Sequence, residues 1–278
     1  MRHHILLPTD FSDNAASAAN YALKLYQNQP CTFYLLHTWS FSNTTNRTYI
    51  TTTYIETQKE EAQNRLIELK DKIQTQSTNK DHEFKTIFST DSLIDAIETA
   101  IKAHDVNLVI MGTKGATGAK EFLFGSNTVN ILSKMRHCPL MVIPEAYVYT
   151  KPEQMAFPTD FNRFYGEELN FILQLSKLND SRLRVFHINT QESLSEKQNY
   201  NFSMLKAYLE DCKHSFHWMP DLGSKEEAIK SFIEEFDIQI LTMINYKHSF
   251  IENLIKEPVV RKLGHHTRVP FLVIPSFS

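Results

Sequence analysis

The stretch VIMGTKGATGAKEFLFGSNTVNILSKM, Val109 to Met135, decides how the rest of the chain is read. Its apolar opening, Leu108-Val109-Ile110-Met111, stops at Gly112. Gly115 and Gly118 follow at intervals of three, and Gly125-Ser126-Asn127 leads into a pattern in which Val129, Ile131, Leu132 and Met135 recur. The expected elements are a buried strand, a glycine-punctuated loop and a helix. Four of the seven glycines in the 278 residues lie between 112 and 125. Glycine is needed where the backbone takes φ > 0 or comes close to a ligand. Amides freed in such a loop, together with the free N–H groups of a helix start, form a receptor for phosphate oxygens. An ordinary surface loop with turn and C-cap glycines is the competing explanation of the spacing alone.

Neither common nucleotide motif fits. A Walker loop closes on Gly-Lys-Ser/Thr, whereas Gly125-Ser126 has no lysine between and Phe124 before it. A dinucleotide fingerprint follows the first strand, whereas this loop follows the fourth. Upstream, His4–Pro8 predicts strand one, and Thr9-Asp10-Phe11-Ser12 leads to a helix capped by Asp13. Strand two is expected at Thr32–His37, a long helix over Tyr54–Gln76, strand three at His82–Phe88, and a helix capped by Ser92 with Asp95. Strand four is Asn107–Met111 and strand five Leu140–Ile143. Strands alternating with helices predict an α/β fold with a mostly parallel sheet covered on both faces. Ligands of such sheets bind beyond the carboxyl ends of the strands, where Asp10 and Gly112 fall.

After Glu145–Lys151 the pattern begins again. Met155-Ala156-Phe157-Pro158-Thr159-Asp160-Phe161 repeats the stretch around Pro8-Thr9-Asp10-Phe11, and Arg184-Val185-Phe186-His187 repeats Tyr34-Leu35-Leu36-His37. Val269–Pro275 echoes Cys138–Pro144. An internal duplication follows, with domains at 1–144 and 152–278 and a linker at 145–151. The second copy has no glycine between Gly223 and Gly264 and carries Tyr246, Phe250 and Glu252 where the first has its loop. It is expected to keep the scaffold without the phosphate site.

The spacing Gly-x2-Gly-x9-Gly-Ser, at Gly112, Gly115, Gly125 and Ser126, resembles the ATP-binding branch of the universal stress protein family. ILLPTDFSDNA, LLHTW and CPLMVIP extend the resemblance. It implies two Rossmann-like (adenine nucleotide alpha hydrolase-like) domains, each a five-stranded parallel sheet of order 3-2-1-4-5. It also implies ATP, or AMP or ADP, as ligand of the first copy, with Mg2+ admitted beside ATP. On that resemblance Thr9 and Asp10 lie at the adenosine end, Thr38 offers backbone groups to adenine, and Met111 packs nearby. Gly112 and Gly115 hold the loop to the phosphates, and Gly125, Ser126 and Asn127 supply N–H groups. Asp10 also has a purely local explanation, an Asx turn beside Ser12. Family members pair through their fifth strand, so an intrachain pseudo-dimer is expected, with a homodimer of whole chains left open.

The bulk properties exclude other classes. A formal charge of −3 offers no footprint for nucleic acid or anionic lipid. No run approaches the length of a membrane span, and MRHHILLPTD does not fit a signal peptide, so a cytoplasmic protein is expected. Cys31, Cys138 and Cys212 lack disulfide or zinc spacing and suit buried thiols. The adjacent pairs His3-His4 and His265-His266 point their side chains apart, and neither makes a metal site alone. Three classes stay open: a stress-associated nucleotide-binding regulator, a protein-interaction module, and a slow ATPase. Catalysis is expected to be weak or absent, because Glu121 is the sole carboxylate in the loop.

Overall fold

The inner strands of the chain are extended because their apolar residues are buried on both faces. In a computed structural model, which describes residues 2–40, 51–113, 126–189, 193–220, 223–246 and 269–276, the chain forms two units, Met1–Thr113 and Lys114–Ser278. The first contains β1 (His3–Pro8), α1 (Asp13–Leu25), β2 (Cys31–Thr38), α2 (Thr52–Gln76), β3 (Glu83–Ser89), α3 (Leu93–His104) and β4 (Leu108–Gly112). β1 pairs in parallel with β2 and β4, and β2 with β3. The order within this unit is therefore β3-β2-β1-β4. Ile5, Leu6, Phe33, Leu36, Val109 and Ile110 are fully or almost fully buried. β3, at an edge, is half-exposed.

Local chemistry sets the helix ends. Ser12, rather than Asp13, caps α1: its hydroxyl accepts from the Ala15 N–H, and Asp13 becomes the acidic residue of the first turn, where the helix dipole favours it. α2 starts two residues earlier than its apolar periodicity indicates, because the Thr51 side chain accepts from the Tyr54 N–H. Ser92 caps α3 as expected, and Asp105 closes that helix at φ 49°.

The second unit contains α4 (Ser126–Lys134), β5 (Leu140–Ile143), β6 (Gln154–Pro158), α5 (Glu168–Asn179) and β7 (Arg182–Asn189). It continues with α6 (Glu196–Tyr208), β8 (His214–Pro220), α7 (Lys225–Glu235), β9 (Ile240–Asn245) and β10 (Phe271–Pro275). Its parallel strands run β8-β7-β6-β9-β10, which is the expected order 3-2-1-4-5 for a second copy. β5 adds to β10 antiparallel through Phe271↔Val142, Leu272↔Met141 and Val273↔Leu140. Two short apolar strands, each an aggregation-prone edge if left bare, thus cover one another. Cys31 and Cys138 are buried as expected, but Cys212 is only half-buried. It lies in the turn between α6 and β8, outside both apolar patterns.

Candidate functional site

The first unit opens where β1 and β4 part. β1 stays paired with β2 as far as Pro8↔Leu36. With β4 it pairs only at Ile5↔Leu108 and Leu6↔Val109, although both strands continue. β1 has β2 on one side and β4 on the other, so this is the topological switch point of the unit, where a doubly wound sheet takes its ligand.

Thr9 and Asp10 form the β1 lip. The Thr9 hydroxyl accepts from the Phe11 N–H at 3.0 Å, and Asp10 Oδ1 accepts from the Ser12 N–H at 3.0 Å. The local explanation of Asp10 as an Asx turn is therefore correct. It leaves the second carboxylate oxygen with no hydrogen-bond partner among the described residues, on an exposed side chain. These turns drive Phe11 into the left-handed region at φ 65°, uncommon for a residue with a bulky side chain. Its ring packs against His37, with centroids 4.4 Å apart, and carries the Arg65 guanidinium 4.3 Å above it.

His37 holds this lip to β2. Its Nδ1 lies 2.8 Å from the Thr9 carbonyl, an acceptor, so Nδ1 carries the proton and donates. Burial pushes its pKa below the ordinary 6.5, and the nearby Arg65 pushes the same way; the Thr9 hydrogen bond and Asp10 oppose them. His37 is thus neutral near pH 7, the form that leaves its charge out of the crevice. One residue on, Thr38 extends past the end of the β1–β2 ladder while still paired with Ser89 on β3. The Leu36 carbonyl accepts from the Thr9 N–H, at 2.8 Å, and the Trp39 N–H donates to Ser89. Alternate residues of a strand turn their backbone groups to the same neighbour, so the Thr38 N–H and C=O face the β1 side beyond the last pair. A backbone donor and acceptor side by side match the hydrogen-bonding edge of a purine.

The β4 lip is Met111, buried, and Gly112. A Cβ on Gly112 would sit 2.6 Å from the Asn14 carbonyl oxygen and 2.7 and 2.8 Å from Asn14 Cγ and Oδ1. The first turn of α1 therefore rests on bare backbone at the end of β4. Asn14 is 9% exposed, and its Oδ1 is buried without a partner among the described residues. Gly115, Gly118 and Gly125, with Lys114, Lys120 and Glu121, lie outside the described residues. Ser126 and Asn127 open α4 in the second unit, Asn127 exposed. Phe88-Ser89-Thr90-Asp91 closes as a tight turn in which the Ser89 hydroxyl donates to Asp91 at 2.9 Å and accepts from its N–H at 3.0 Å.

The structure thus brings Thr9, Asp10, Thr38, Met111 and Gly112 to one edge of the first unit. It adds His37, Phe11 and Asn14, which motif reasoning passed over. The signal was present for two of them, since Phe11 and His37 recur as Phe161 and His187 at one offset. In the second copy the His187 ring donates to the Thr159 carbonyl at 2.9 Å, Phe161 stands at φ 55° stacked on His187, and Asp160 accepts from Asn162 at 2.9 Å. Among the described residues no His/Cys/Asp/Glu group is arranged to hold a metal, and no helix is long and apolar enough to cross a membrane.

Comparison with known proteins agrees with this fold. The sequence profile of the universal stress protein family matches residues 1–144. Universal stress protein YxiE of Bacillus subtilis (strain 168) is 23% identical over 148 residues, 51% of this chain and 99% of that protein. Among solved structures, a universal stress protein from Archaeoglobus fulgidus DSM 4304 superposes with a TM-score of 0.73 at 18% identity, covering 98% of this chain and 96% of its own. One described as a putative universal stress protein from Pseudomonas aeruginosa UCBPP-PA14 gives 0.60 at 12% identity, covering 98% and 93%.

Proposed function

The chain belongs to the universal stress protein family, and from that premise we propose that its first copy binds one adenine nucleotide, ATP or its relatives AMP and ADP, in a stress-associated regulatory role in the cytoplasm. The observation that carries the proposal is the open edge between β1 and β4. There the exposed Asp10 carboxylate and the backbone groups of Thr38 stand beyond their ladders. A carboxylate with a spare oxygen accepts from ribose hydroxyls, and the Thr38 N–H and C=O pair with the adenine edge. Thr9 and His37 fix the turn that presents Asp10, and Met111 supplies apolar contact. The pattern from Gly112 through Gly115 to Gly125, Ser126 and Asn127 is the proposed phosphate end. Mg2+ enters only as companion of ATP phosphates, and no side chain of the chain is assigned to it.

The role is binding rather than turnover. Phosphoryl transfer to water needs an oriented nucleophile and metal-held phosphates, and Asp10 belongs to the nucleoside end. Calorimetric titration of the chain with ATP is the test, alongside Gly115→Val and Gly125→Val. Wild type is expected to saturate near one equivalent, and both variants to lose binding with their circular dichroism unchanged. Undiminished affinity in both variants, or no affinity in wild type, would end the proposal.

A further inference from the structure

The second unit repeats the crevice and fills it. β6 and β9 pair only at Met155↔Ile240 and Ala156↔Leu241, the same short hold that lets β1 and β4 part. Gly112 corresponds in this register to Ile244, which is 3% exposed. A side chain is accommodated because α5 begins at Glu168, five residues later than the start of α1 requires. The chain from Asn162 to Glu167 is thereby freed from the helix and lies at the crevice.

Tyr246, just past β9, reaches across. Its hydroxyl stands 3.4 and 3.5 Å from the two oxygens of Asp160, just past β6. Its ring lies 4.7 Å from the Arg163 guanidinium. These oxygen distances are long for a hydrogen bond, so the ring's volume and its cation–π contact do more than the hydroxyl. Arg163 is itself fixed: Nη2 donates to Glu168 Oε1 at 2.6 Å and Nη1 to the Ser276 hydroxyl at 3.0 Å. Glu168, 4% exposed, also accepts from the Gly166 N–H at 3.0 Å and from the Ser276 hydroxyl at 3.3 Å. Beneath lies Tyr165, fully buried, its hydroxyl 2.9 Å from the Thr159 hydroxyl. Burial pushes the Tyr246 phenol up to about 12, with the Asp160 charge adding to it, so it stays protonated.

We propose that Tyr246 is an internal occupant of the second crevice, standing against Asp160 where a nucleoside would stand against Asp10. This rests on the nucleotide assignment of the first copy. The second copy keeps the same carboxylate on the same turn, yet offers it to its own chain. It is a filled counterpart of the first crevice, where the described residues leave one Asp10 oxygen without a partner, and on this proposal the chain takes one nucleotide although it carries two scaffolds. Loss of glycines from the second loop removes phosphate donors; Tyr246 closes the nucleoside end as well.

The test uses the full-length chain and adenosine, a probe without phosphates, followed by saturation-transfer difference NMR. Asp10→Ala silences the first crevice and is expected to lose at least nine-tenths of the wild-type signal. Adding Tyr246→Ala or Tyr246→Ser to that background is expected to raise the signal at least threefold, and Asp160→Ala to abolish the gain. Tyr246→Phe, which keeps the ring, stays closed. Absence of any gain in both ring-removing variants, folded by circular dichroism, would overturn the proposal. Hydrogen exchange on the wild type needs no variant: ATP should slow the Asp10–Asn14 segment and leave Asp160–Gly166 unchanged, and slowing of both contradicts a filled second crevice. Slowing of neither, with no wild-type adenosine signal, counts against the first-copy assignment alone. The gain on removing Tyr246 still decides this one.

Discussion

Replacing Gly112 by alanine tests how the crevice is built, independently of any ligand. The new Cβ would lie 2.6 Å from the Asn14 carbonyl oxygen, about 0.8 Å short of the 3.4 Å at which ordinary contact begins. That oxygen belongs to the first turn of α1, so relief requires moving the helix start rather than rotating a side chain. Overpacking of this kind costs about 1–3 kcal/mol. Alanine returns about 0.4–1 kcal/mol by restricting the unfolded chain, leaving a net loss of up to about 2.6 kcal/mol, centred on about 1.3 kcal/mol. For a unit of this size each kcal/mol lowers the midpoint by about 4 °C, so calorimetry should show a drop of about 5 °C. The double variant Gly112→Ala/Asn14→Ala removes the contacts at 2.7 and 2.8 Å and keeps the one at 2.6 Å, so it should recover only part of the loss. An unchanged or raised midpoint in the single variant would refute the close approach. Full recovery in the double variant would show that the side chain alone is responsible.

Three other outcomes are expected. Among the described residues His3, His37 and His217 each have pKa values lowered chiefly by burial, so the unfolded chain takes up protons first. Their contribution is flat above the unfolded value near 6.5 and stability falls as pH drops below it; His37→Gln should make the slope of unfolding free energy between pH 7.5 and 5.5 shallower, and an unchanged slope would remove His37 from the account. Glu168→Ala strips the buried partner of Arg163 and should cost about 2–4 kcal/mol by denaturant titration, discounted from about 3–5 kcal/mol for a fully buried pair because Arg163 is partly exposed; a loss under about 0.5 kcal/mol would mean the pair is solvated. Phosphate release from ATP should stay well below about one turnover per second, an ordinary enzymatic rate, and a faster rate abolished by Glu121→Ala would make the protein a catalyst.

The alternation of strands and helices, and the fall of Asp10 and Gly112 at strand ends, were legible because period and spacing are local signals, whereas the strand order and the placing of Thr9, Thr38 and Met111 came from the resemblance to the family. A strand whose residues are all apolar has few alternatives to a covered parallel sheet. Helix starts were less so: Ser12 and Asp13 are both good caps, and only backbone geometry separates the residue that caps from the one that follows. The Asn14–Gly112 contact joins positions far apart in the chain, and no periodicity marks it. His37 was hidden by chemistry that motif patterns do not encode, a ring N–H given to the Thr9 carbonyl of the neighbouring strand, although its recurrence as His187 was in view. In the sequence Tyr246 registers only as a side chain standing where the first copy has its loop. Its contact with Asp160 depends on the late start of α5, and that delay has no sequence mark beyond Gly166.

The central claim is that the first copy holds an adenine nucleotide and the second does not. Its most direct test is mass spectrometry of small molecules released by denaturing freshly purified full-length chain, quantified against protein. ATP, ADP or AMP is expected at up to one equivalent per chain, absent from the Gly125→Val variant prepared in parallel. Two equivalents of nucleotide per chain, or an equal amount retained by Gly125→Val, would contradict it.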